Sequence, residues 1–139
     1  MLASAQKNLA GVQAQLDLVD PETEIAPGIL AIAAFGHSPG QMGLDISSAG
    51  DRLLFVADAI VHPLHLEYPD AIGATDHRPS EMVATRIKLL EKAAREKSLV
   101  STSHFTFPGL GYVAPKQTRW EWRARAGTAG VRVVGHPSP

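Results

Sequence analysis

Residues 29–35, Ile-Leu-Ala-Ile-Ala-Ala-Phe, form an unbroken apolar run that stops at Gly36-His37-Ser38-Pro39-Gly40-Gln41. Its length and its lack of polar residues suit a buried strand rather than a solvent-facing one. The chain around such a strand must supply covering layers. Helices elsewhere in the chain are the natural source of those layers, and the histidine in the glycine-rich turn sits at the mouth of whatever they enclose.

Residues 4–18 place Leu9, Val12 and Leu16 at helical spacing, with Val19 just beyond, and predict a short amphipathic helix. Asp20 to Gly28 reads as a turn. Met42–Ser47 and Arg52–Asp58 flank Ser48-Ala49-Gly50-Asp51, whose Gly-Asp pair marks a β-hairpin. A loop is expected from about Pro63 to Arg78. Pro79 and Ser80 then open the clearest helix, with Val83, Ile87, Leu90 and Ala94 on one face. Lys and Arg at 86, 88, 92, 95 and 97, interspersed with Glu91 and Glu96, read as its solvated face. Residues 99–107 and 118–124 are strand candidates joined by the turn-rich Pro108–Lys116. Trp120 and Trp122 share a face of the last strand and are expected in the core. The fold class is α/β, with one domain over residues 1–124 and a tail, 125–139, without assignable pattern and a candidate for disorder.

Composition excludes several functions. With 13 basic and 14 acidic residues there is no electrostatic case for nucleic acid or an anionic membrane. No apolar run approaches the ~20 residues of a membrane span, and the N-terminus lacks a signal-peptide core. A cytoplasmic protein is expected. Zero cysteines leave only His, Asp and Glu as metal ligands. Six histidines occur, and a lone histidine is ordinarily a polar surface or core residue. Three acidic or imidazole groups stand out by position. His37 follows the first buried strand, Asp58 ends Leu53-Leu54-Phe55-Val56-Ala57-Asp58, and His104 ends Leu99–His104. Functional groups of α/β proteins collect where strands end. Together these three form a candidate N/O site for zinc, iron or manganese.

Gly36-His37-Ser38-Pro39-Gly40-Gln41, Arg52–Pro63 and Ser101–Val113 together resemble the C-terminal half of metallo-β-lactamase-fold hydrolases, over roughly residues 8–122. The lactonase and organophosphate-hydrolase branch is the most similar. The resemblance implies half of an αβ/βα sandwich, a mixed sheet with flanking helices. It also implies metal ligation by His37 and His104, and an Asp58 that bridges two ions and helps orient a hydroxide attacking a lactone, ester or phosphotriester. Gln41 stands where the family's turn has a second, non-ligating histidine. His62 and Phe107 fall where the branch lines its substrate pocket, while His65 and His77 read as loop residues. The family's His-x-His-x-Asp-His motif has no counterpart here, so at most one ion is expected on this chain, held by His37, Asp58 and His104 with water. Two classes of function follow. One is a metal-dependent hydrolase that is inactive alone, acting on a small ester or lactone once a missing N-terminal half or a second copy in a homodimer completes it. The other is a non-catalytic α/β oligomeric or binding domain of the same descent.

Overall fold

The computed structural model describes residues 2–125. The expected tail beyond Arg125, with His136, lies outside the described residues. An N-terminal helix α1 (Leu2–Ala10) and a 3-10 turn at Gln13–Gln15 precede seven strands. These are β1 (Thr23–Ala26), β2 (Ile29–Ala33), β3 (Met42–Ser48), β4 (Asp51–Phe55), β5 (Leu99–Ser101), β6 (Leu110–Lys116) and β7 (Arg119–Ala124). Between β4 and β5 lie a short helix α2 (Leu64–Glu67) and the long helix α3 (Pro79–Glu96). The strands form one sheet in sequence order. Every neighbouring pair is antiparallel except β4–β5, which is parallel because α3 carries the chain back across the sheet. The sheet is thus mixed, with flanking helices, as expected.

The β3–β4 hairpin closes at Ala49-Gly50, with φ of 51° and 89°. Positive φ at both central residues is the turn geometry that matches strand twist. Pairing places Leu30, Asp45, Leu54, Val100 and Gly111 in one row across the sheet. The core lies on this face, where Ile32, Leu54, Val56, Val100 and Val113 meet Leu66 of α2 and Met82, Leu89, Leu90 and Ala93 of α3. Asp45, 7% exposed, docks α3 through Lys92, whose Nζ lies 2.8 Å from Oδ2. Burial alone would lower Lys92, but hydrogen bonds to Asp45 and Glu96 outweigh it and hold the ammonium above its ordinary range. Trp120 and Trp122 pack against the core as expected, Trp122 edge-on to Phe105 at 4.8 Å between centroids.

Several local expectations are corrected. The N-terminal helix stops at Ala10, and Leu9, Val12, Leu16 and Val19 are all exposed, because no other described element offers them a surface. β1 occupies part of the segment read as a turn. Only 99–101 of the strand expected over 99–107 forms, and the next strand is 110–116, inside the stretch read as a turn, since Gly and Pro there mask the alternation of Gly111 and Val113 inward. The buried face of α3 is rotated by one position from the expected stripe, to Met82, Arg86, Leu89, Leu90 and Ala93. Arg86, read as solvated, is 1% exposed. Its guanidinium donates to the carbonyls of Ala59, Pro69 and Ala71 at 2.8, 2.9 and 2.6 Å. One fixed cationic fork thereby satisfies three backbone carbonyls between β4 and α3.

Candidate metal centre

The turn after β2 is built against the start of α3. Gly36 has φ 123°, and a Cβ there would overlap the backbone of Met82, so glycine alone lets the two segments touch. Loop backbone completes the clamp: the N–H of Arg78 donates to the carbonyl of Gly36 at 2.8 Å, and that of His77 to the carbonyl of His37 at 3.2 Å. His37 is held by its neighbours before any ligand is considered.

Asp58 and His104 lie further from the sheet than the strand-end expectation had them. β4 stops at Phe55, and Asp58 sits in the 3-10 turn Ala57–Ala59; β5 stops at Ser101, and His104 sits in the following turn. Ala57 adopts φ 46°, the left-handed region that glycine occupies more easily, and thereby swings Asp58 out of line with its strand.

The three side chains nevertheless converge. His104 Nε2 lies 2.9 Å from Asp58 Oδ1, and His37 Nε2 lies 3.8 Å from Asp58 Oδ2. Each carboxylate oxygen thus faces a different imidazole. Gln41 Nε2 donates to Oδ2 at 3.0 Å, while its own Oε1 is buried with no partner. The Asp58 side chain is 33% exposed and that of His104 50%, so the cluster opens to solvent. Behind His37 stands Asp76, whose side chain is 5% exposed and whose Oδ1 lies 3.0 Å from His37 Nδ1. The sequence points to Gln41 only as a non-ligating position of the turn and does not point to Asp76. Asp76 carries no local signal, because it lies 39 positions after His37 and meets it only in the fold.

His62 and Phe107 stand apart from this cluster. His62 is exposed, accepts the N–H of Leu64 at its Nδ1, and borders an open groove with Trp120 and Trp122; no hydrogen bond joins it to His37, Asp58 or His104. Phe107 is 94% exposed, whereas Phe105 turns inward. His77 is an exposed loop residue as expected. His65 is not: it lies buried on α2 with its Nδ1 unpartnered. Burial, then the charge of Arg86, pushes it down to about 4, against the opposing pull of Asp76.

In kind, the donors suit a divalent ion: imidazole nitrogens and a carboxylate, with a second carboxylate supporting one imidazole. In number they fall short. Among the described residues no group of three or more His, Asp or Glu is disposed to hold a metal ion unaided, since Asp58 meets His104 at hydrogen-bond distance with no gap between them. No helix among the described residues is long and apolar enough to cross a membrane.

No family model and no curated protein matches the chain. Solved structures do. AidC, a dizinc quorum-quenching lactonase in complex with a product, superposes with a TM-score of 0.84 at 29% identity, over 91% of this chain and 44% of that one. The hydrolase AbOPH of the β-lactamase superfamily gives 0.75 at 22% identity, over 88% and 43%. A probable metal-dependent hydrolase from Staphylococcus aureus gives 0.69 at 19%, over 83% and 42%. At their identities the latter two bear on the fold alone. This chain spans less than half the length of each.

Proposed function

We propose, for a chain whose fold is that of the C-terminal half of a metallo-β-lactamase-type hydrolase, that it forms one wall of a metal-dependent hydrolytic site for a lactone, ester or phosphotriester. The observation that carries this reading is the carboxylate of Asp58 set between two imidazoles, one oxygen toward each. His37 and His104 are the residues that would hold metal through Nε2, with Asp58 between them. Bound zinc, iron or manganese would supply an activated water and polarise the bond under attack. Gln41 holds Oδ2 of Asp58 by its amide and so limits rotation of the carboxylate. His62 and Phe107 are the pocket-lining candidates, free to meet a substrate because both are exposed. The chain works in the cytoplasm in this reading.

The wall is incomplete alone. Opposite the helix-covered face, the register puts Ile29, Ile46, Leu53 and Leu99 in one row and Leu44, Phe55 and Leu110 in the next. None belongs to the core cluster, and all are only half-buried. An apolar sheet face of this extent calls for a second layer, the other half of the sandwich or a second copy of the chain. Activity is expected only when that layer is supplied.

Metal content by mass spectrometry, read on the same sample as solution mass by light scattering, tests the proposal. Metal near one ion per chain, lost in His37→Ala and His104→Ala, is expected. A metal-free protein under saturating zinc, unchanged by either substitution, would overturn it. That outcome would favour the second reading, a non-catalytic α/β domain, to which the shortage of converging ligands points.

A further inference from the structure

Asp76 is the buried carboxylate behind His37, and the hydrolytic reading gives it no step of its own. Its Oδ2 accepts the N–H of Gly73 at 2.8 Å, which fixes the carboxylate within its own loop. Its Oδ1 faces His37 Nδ1 at 3.0 Å, and the next two residues bond the carbonyls of His37 and Gly36. Arg86 and His65 also feel its charge. An ionised carboxylate can only accept, so the hydrogen of a neutral His37 must sit on Nδ1.

We infer that Asp76 is a positioning residue for the candidate metal centre: it locks His37 in the Nδ1–H tautomer, so that Nε2 always presents its lone pair toward Asp58. His104 is not preset in this way. Its Nε2 itself meets Asp58 Oδ1 at 2.9 Å and therefore carries the hydrogen until a metal displaces it. The two imidazoles are inequivalent, and the His37 side of the centre is the one ready to bind first. The role in metal capture rests on the hydrolytic reading; the tautomer does not.

The test uses the full, metal-free chain, labelled with nitrogen-15, at about pH 8, above the ordinary histidine range. Long-range proton–nitrogen correlation should show His37 in the Nδ1–H form and His104 in the Nε2–H form. Asp76→Ala should move His37 toward the Nε2–H form, while Asp76→Asn, which keeps an acceptor oxygen, should restore part of the Nδ1–H population. Zinc affinity measured by chelator competition should weaken about 10–100-fold in Asp76→Ala and less in Asp76→Asn. A His37 already in the Nε2–H form in the unsubstituted protein, or unmoved by Asp76→Ala, overturns the inference. Because the unsubstituted chain alone gives the first result, loss of folding in a variant does not blunt the test. A chain that binds no zinc yet shows the expected tautomers would sink the hydrolytic reading and leave the positioning by Asp76 standing.

Discussion

His65 is the residue whose chemistry departs furthest from its ordinary behaviour. Buried on α2 beside Arg86, it titrates near 4 in the fold and near 6.5 when the chain unfolds. Between these values the unfolded chain binds more protons than the folded one, so stability rises with pH across the window. Stability due to neutral His65 is complete above about pH 6.5 and is lost as the pH falls toward 4, a change on the order of 2–3 kcal/mol. Urea unfolding at a series of pH values should show this slope, and His65→Leu, which also removes the unpartnered Nδ1, should flatten it. An equal slope in both proteins would place the proton elsewhere. His65 and Arg86 carry the same lesson about legibility. Each lies in a stretch whose pattern reads as polar and solvated, and each is buried because partners distant in sequence surround it. Three carbonyl acceptors offset part of the cost of burying the Arg86 cation, but the acceptors, Ala59, Pro69 and Ala71, carry no side-chain signal.

Among the elements, the decisive contact is between the turn after β2 and the first turn of α3. That contact positions His37, and it depends on the missing side chain at Gly36. Gly36→Ala introduces both a strained φ and a clash with Met82, with an expected loss of about 2–4 kcal/mol in urea unfolding. Zinc affinity should fall with it, because His37 moves with the turn. Retention of native stability would show that α3 can shift to make room. Helix α3 and the hairpin were legible because their apolar spacing and turn chemistry are local, whereas α2 falls inside the stretch expected as a loop and α1 is shorter than its apolar spacing implies. β6 was not, since Pro108, Gly109, Gly111 and Pro115 look like turn residues until the partners β5 and β7 are in place. The stripe of α3 was misread by one position for a related reason: the helix has apolar residues on more than one side, and the sheet chose among them.

For the whole molecule, the two faces of the sheet have opposite fates, and adjacent residues of β4 separate them. Leu54 is fully buried under the helices, whereas Leu53 lies on the face that no other described element covers. Leu54→Lys should prevent folding by placing an unpaired ammonium in the core. Leu53→Lys should cost less than about 1 kcal/mol in the isolated chain. It should also shift light scattering from associated species toward monomer. Equal damage from both substitutions would mean that the second face is already covered within the chain.

By itself the sequence determined the α/β class, the clearest helix and hairpin, and the three chemical groups of the candidate centre. Strand patterning, helix periodicity and a glycine-rich turn act over a few residues, and so can be read without the fold. Tertiary structure alone decided that His37, Asp58 and His104 meet, that Asp76 stands behind His37, that Arg86 is buried, and that one sheet face has no covering layer among the described residues. Each of these depends on groups separated by long stretches of chain, whose distances exist only once the parallel crossover between β4 and β5 has closed.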